Sequence, residues 1–230
     1  MPTYTNQRAR QSLPTVRAYP APYVAGFIVS LIIFAGALVI GHQHRLDGLQ
    51  ASIFHWFNNW PDVFRVPALI ITEGLGAAYP IALCILLALA FKRFRLAWRF
   101  VVTVGGAGVL MEIAKKIALE PRPVVMLHGN LHLRANEGGL TSFPSGHEAV
   151  GTAMALTLWL VLPRRWRWLS VAWIVVLAVS RVYLGVHTPN DVLGGFAIGL
   201  LVVCIVRLLP LAIARPLRLD LEKPLLDKGF

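Results

Sequence analysis

The sequence predicts an all-α polytopic membrane protein: a bundle of six transmembrane helices with a short interfacial helix between spans one and two. Three observations carry that expectation. Hydrophobic residues make up 57% of the 230-residue chain and charged residues only 14%, against about 25% charged in ordinary soluble domains. The apolar residues come in long runs rather than amphipathic stripes. Tyr23–Gly41 and Gly74–Phe91 are free of charge over nineteen and eighteen residues, each near the ~20 needed to cross about 30 Å of hydrocarbon. Finally, the basic residues behind the net charge of +11 fall in the gaps between such runs. That is the pattern of membrane topology, not of a nucleic-acid-binding face.

The spans are expected at about 23–41, 66–91, 98–117, 146–162, 167–186 and 189–207. Arg8, Arg10 and Arg17 precede the first, as in a signal peptide, but a signal core is about 7–15 residues long and is followed by a small-residue cleavage site. Tyr23–Gly41 is longer and lacks that site, so it reads as a retained helix. Between spans one and two, Leu49, Ile53, Trp56 and Trp60 recur at helical spacing within Leu46–Trp60. This suits a helix lying in the interface with tryptophans at headgroup level. Cys84 and Cys204 sit inside apolar runs, as small buried hydrophobes do. A single membrane domain (23–210) is expected between an N-terminal segment (1–22) and a C-terminal tail (211–230).

Lysine and arginine counts set the orientation. Fifteen lie in the N-terminus, loops two and four and the C-terminus, and seven on the opposite side. Cytoplasmic loops hold the excess, so both termini are expected in the cytoplasm of a cell (plasma or inner) membrane. Loops one, three and five then face outward.

The remaining signal gathers at outer helix ends, in Lys115–Pro123, Phe143–Glu148 and the segment from Ser180 to Asp191. Structural roles explain part of it. Ser145 with Glu148 has the form of a capping box, and Thr188, Pro189 and Asp191 form a weaker version. Lys116 and Arg134 are expected to snorkel toward the interface. Capping does not explain His147, His187, Arg122 or Arg181. Spans four and six both start on the outer side, and a helix N-terminus attracts anions. With Lys115, Arg122 and Arg181 beside them, the site suits a compact, multiply charged anion such as phosphate. Two histidines can divide the chemistry between attack on phosphorus and protonation of the leaving oxygen. Asp191, four residues after His187, can orient its ring. No carboxylate cluster for magnesium is apparent, so no metal and no cofactor are expected.

These segments resemble the three-part signature of the type 2 phosphatidic acid phosphatase superfamily, bacterial membrane-integrated type. Lys115 is followed after six residues by Arg122-Pro123; then come Pro144-Ser145-Gly146-His147; then Ser180-Arg181, five residues, His187, three residues, Asp191. No signature position departs from the pattern. The resemblance implies His187 as a nucleophile forming a phosphohistidine, Asp191 orienting it, and His147 as general acid. It implies phosphate contacts from Lys115, Arg122, Ser145, Gly146 and Arg181. The expected partners are a lipid phosphate substrate and membrane lipids, not nucleic acid.

Weaker signals remain open. Glu73, beside Thr72, interrupts span two as a possible substrate contact, a partner for a site cation or a structural carboxylate. Glu112 precedes Lys115 by three residues, as a helical ion pair would. His128 and His132 are four apart in the loop 120–141, which reads as a lid or substrate-selecting segment rather than a metal site. Gly74, Gly76, Gly105, Gly106 and Gly108 offer small surfaces on spans two and three, either to line a gap for a thin lipid tail or for close helix packing. The same site residues would serve a lipid phosphotransferase. A vanadate-dependent haloperoxidase would share the pocket but not the six spans, and a non-catalytic lipid-binding protein would not need the intact signature.

Overall fold

The chain is all-helical in a computed structural model that describes residues 21–209 except 44, 45, 47, 76, 77, 137, 138 and 140. Apart from residues 21 and 22, the expected terminal segments 1–22 and 211–230 lie outside the described residues. The helices are α1 (Ala21–Gly41), α2 (Gly48–Asn58), α3 (Arg65–Leu69), α4 (Ala78–Ala90), α5 (Phe94–Ala118), α6 (Pro123–Met126), α7 (Gly146–Trp159), α8 (Trp168–Tyr183) and α9 (Pro189–Leu208).

Among the described residues, four helical stretches are long and apolar enough to cross a membrane: Ala21–Gly41, Phe94–Ala118, Arg164–Tyr183 and Pro189–Leu208. The other two expected spans take a different form. Span two is broken: α3 leads into a wide π turn over Ile70–Leu75, and α4 resumes at Ala78. Gly74, Gly76 and Pro80 crowd this stretch, and such residues interrupt the regular helical hydrogen-bond ladder. Span four is the 14-residue α7. It packs against α5, α8 and α9, and Ala149, Gly151, Thr152, Ala153, Ala155 and Thr157 are buried around it. An interior helix needs small side chains more than oily ones, which lowers its apparent hydropathy.

Close backbone approach holds α7 to α9. A Cβ on Gly195 would lie 2.5 Å from the Ser145 carbonyl, and one on Gly199 would lie 2.6 Å from Thr152 Cβ. Glycines four residues apart let two membrane helices cross at such range. Of the glycines considered for a tail gap, Gly106 faces Val202 of α9, while a Cβ on Gly105 or Gly108 would meet nothing within 4 Å. Gly76 lies outside the described residues.

Arg134 does not snorkel. It is buried, and its guanidinium donates to the carbonyls of Asn58 (2.6 Å), Trp60 (3.0 Å) and Tyr183 (3.1 Å) and to Asp62 Oδ1 (2.7 Å). That hydrogen bond first, and then the charge of Arg134, hold the Asp62 carboxyl below the usual range. Asn58 Nδ2 donates to the carbonyls of His132 and Tyr183. The loop half 131–134 is therefore anchored to the end of α2 and the end of α8 and forms a fixed wall. Lys116, by contrast, is exposed.

Candidate active site

Three short ties bring the signature segments together. The amide of Ser142 donates to the Glu120 carbonyl at 2.8 Å beside a lone β-bridge between Pro121 and Thr141. The amide of Ser145 donates to the Asp191 carbonyl at 3.0 Å. Arg122 donates from Nη1 to the Val186 carbonyl and from Nε to the Gly139 carbonyl, both at 3.1 Å. The third segment is thus bonded to the other two, and the first is also bonded to Ser142, the residue that precedes the second.

At the centre is the His187–Asp191 pair, both buried. His187 Nδ1 lies 3.3 Å from Asp191 Oδ2. Burial outweighs the neighbouring carboxylate and pushes the His187 imidazole down to about 4. The ring is therefore neutral at physiological pH, and the contact is a hydrogen bond rather than an ion pair. A carboxylate only accepts, so the ring proton belongs on Nδ1 and the lone pair on Nε2. Asp191 Oδ2 also accepts from the Thr188 amide at 2.7 Å and from the Ser142 hydroxyl. Ser142 Oγ stands 3.3 Å from His187 Nδ1 as well.

The two caps reverse their expected strengths. Thr188 and Asp191 form a complete reciprocal capping box with Pro189 in the first turn of α9. Ser145 occupies the N-cap of α7 without a side-chain capping bond, and its Oγ has no hydrogen-bond partner among the described residues. Glu148 is fully buried and accepts from Thr152 Oγ1 instead of reaching back to the cap. The hydroxyl of Ser145 is thereby left for another role.

Cations surround the pair. Arg181 is fully buried in the last turn of α8, within electrostatic reach of Glu73, Arg122 and Asp191. Burial lowers the Arg122 guanidinium while the Asp191 charge opposes the shift. Lys115 is half-buried and feels Arg122, Glu112, Asp191 and Arg181. His147, half-buried at the start of α7, feels His187, Glu73 and Lys115. Glu73 itself is exposed, and the π turn places it beside this group. Gly146 faces the flexible end of Met111. All nine residues singled out from the sequence therefore belong to one cluster.

Sequence reasoning missed Ser142 and Glu120. Neither falls in a spacing pattern, and only the pairing of 120–122 with 141–142 brings them to the pair. Glu120 is buried; burial first, then the charge of Asp191, raise its carboxyl to about 8, so it is protonated at neutral pH. Its side chain fills the space a Cβ on Gly41 would need. His132 is tied to Asn58, at the end of α2, through its backbone. Among the described residues, no group of three or more His, Cys, Asp or Glu is placed to hold a metal ion.

Residues 96–214 match the model of the PAP2 superfamily, and the chain belongs to that family, whose matched members include membrane phosphatases. Among individual relatives, an undecaprenyl-diphosphatase of Sulfolobus acidocaldarius is 36% identical over 174 residues, covering 75% of this chain and 83% of that protein. The crystal structure of the PAP2-type phosphatidylglycerolphosphate phosphatase of Bacillus subtilis superposes with a TM-score of 0.58 at 25% identity, covering 78% of this chain and 91% of the other. Aquifex aeolicus LpxE shares the fold, with a TM-score of 0.62 at 24% identity over 70% of this chain and 96% of that one. The chain is accordingly a phosphoric ester hydrolase of the PAP2 family and a membrane protein.

Proposed function

We propose that the chain removes a phosphate from membrane lipid phosphates or diphosphates through a phosphohistidine on His187. The observation that carries this reading is the neutral His187 held by Asp191 Oδ2 inside a ring of Lys115, Arg122 and Arg181. Neutral Nε2 attacks phosphorus and the bond from phosphorus to the lipid oxygen breaks. His147 gives that oxygen its proton. Water then attacks the phosphohistidine and yields its proton to His147, and inorganic phosphate leaves with His187 restored. Asp191 stabilises the positive charge that grows on the ring during attack. Lys115, Arg122, Arg181, Ser145 Oγ and the backbone at Gly146 hold the phosphoryl oxygens at the start of α7, where a helix N-terminus favours an anion. Glu73 contacts the substrate or steadies Arg181 and His147.

The substrate we favour is a polyprenyl diphosphate, the class named by the Sulfolobus relative. In this reading six segments cross a cell membrane, 23–210 forms one domain, both termini are cytoplasmic and the site faces outward. The test is kcat/KM in one detergent for a polyprenyl diphosphate, phosphatidic acid and a water-soluble phosphate monoester. Lipid substrates should lead by at least about tenfold, a difference of ~1.4 kcal/mol in transition-state binding. Equal turnover of the soluble ester contradicts the lipid assignment.

A further inference from the structure

Two buried carboxyls, Glu120 and Asp191, lie within electrostatic reach of each other, and only Asp191 is held by donors. The Glu120 carbonyl accepts from the Ser142 amide at 2.8 Å, and the Ser142 hydroxyl donates to Asp191 Oδ2. The Glu120 side chain turns toward the end of α1 and the start of α9. Its carboxyl and Asn190 Nδ2 both crowd the point where a Cβ on Gly41 would stand. Asn190, the residue before Asp191, is itself fixed by donating to the Ala37 carbonyl at 2.8 Å.

Donors decide where the charge of the pair rests. Asp191 Oδ2 accepts from the Thr188 amide, the Ser142 hydroxyl and His187 Nδ1. Glu120 Oε2 is buried, and no donor reaches it among the described residues; Asp191 Oδ1 is buried and unpartnered in the same way. A carboxylate held by several donors stays ionised, while a second carboxyl close to it in a dry site keeps its proton. Asp191 therefore carries the charge and Glu120 is neutral, in agreement with the rise of the Glu120 carboxyl to about 8. A protonated carboxyl has one O–H to donate, which is what the orphan Oδ1 lacks. The titratable and charged side chains on the elements packed against Glu120 are Asp191 and His187 at the start of α9, and His42 beside Gly41 at the end of α1. Its own segment adds Lys115, Lys116 and Arg122. Of these, Asp191 is the one that acts on the Glu120 carboxyl.

We propose that Glu120 is a positioning residue that acts through Asp191: as a neutral acid it steadies the carboxylate that holds His187, and once ionised it repels that carboxylate and disarms the pair. The inference rests on the reading of His187 as nucleophile and deepens it. On ionisation the proton passes to bulk water and leaves two like charges side by side, with no donor for the second. A buried charge without a partner is costly, and the carboxylate that can move away is the one orienting the ring. Turnover is thereby confined to the pH range in which Glu120 keeps its proton.

The experiment compares wild type, Glu120→Leu and Glu120→Gln on a polyprenyl diphosphate in one detergent. At pH 7 Glu120→Leu should lower kcat/KM about tenfold. Glu120→Gln, which keeps a neutral donor, should recover most of that loss. All other titrating groups are common to wild type and Glu120→Gln and cancel from their ratio. That ratio should stay flat from about pH 6 to 7.5 and then climb in favour of Glu120→Gln, to about thirtyfold at pH 9.5, as the wild-type carboxyl ionises through about 8. Stability changes in another window. The folded-state value lies above the ordinary 4.5, so wild type loses stability relative to Glu120→Gln as pH rises from about 4.5 to 8, and loses no more above that. A merely structural carboxyl would separate the thermal midpoints in that window and leave the activity ratio flat to pH 9.5, which overturns the proposal. So does a Glu120→Gln protein as impaired as Glu120→Leu, or a gap in midpoints that does not widen between about pH 5 and 8. The lipid-phosphatase reading fails separately, if wild-type protein releases no phosphate from any lipid; the midpoints still report whether Glu120 is neutral in the folded protein.

Discussion

Asp191 Oδ2 accepts from the Thr188 amide at 2.7 Å, the Ser142 hydroxyl and Nδ1 of His187. Ser142 therefore fixes the plane of the carboxylate that, in the proposed mechanism, orients His187. A hydrogen bond to a charged group contributes roughly 1.5–3 kcal/mol. Ser142→Ala should lower kcat about 10- to 100-fold with KM within about twofold, since the hydroxyl acts through Asp191 rather than on substrate. Ser142→Thr should recover most of the loss because it keeps the hydroxyl. Steady-state kinetics decide this, and unchanged kcat in Ser142→Ala excludes the role. The histidines, Asp191 and the three cations were legible in the sequence because their spacings are local and charge at a span end is conspicuous. Ser142 and Glu120 were not, because their meaning depends on a backbone pairing across some twenty residues. Arg134 misled for a related reason: a cation near an interface looks solvated until its carbonyl partners are known.

At the scale of elements, the site depends on how tightly α7 lies on α9, because the Ser145 amide reaches the Asp191 carbonyl across that crossing. A side chain on Gly199 would press on Thr152 and the Ala149 carbonyl at 2.6–2.7 Å. Overpacking of this kind costs about 1–3 kcal/mol. Gly199→Val should lower the thermal midpoint in detergent by several degrees and reduce phosphate release with it, while Gly105→Val, which meets nothing within 4 Å, should leave both near wild type. A Gly199→Val protein as stable and active as wild type contradicts the packing account. Long apolar runs made α1, α5, α8 and α9 readable from sequence. The break in span two and the brevity of α7 were not, because hydropathy records lipid-facing surface and says little about a helix enclosed by others.

For the whole molecule, the basic-residue bias, fifteen against seven, is what the proposed outward orientation of the site rests on. In a background lacking Cys84 and Cys204, a membrane-impermeant thiol reagent applied to intact cells should label a cysteine at exposed Asn130 and miss one at exposed Arg95; the opposite pattern reverses the orientation. The covalent step is the central claim, and trapping it is the most direct test. Protein mixed with substrate labelled in its terminal phosphate and quenched within one turnover should carry an alkali-stable, acid-labile phosphoryl group that maps to His187. It should be absent from His187→Ala, which should also release no phosphate. Label mapping to another residue, or a His187→Ala protein with near-normal turnover, contradicts the account.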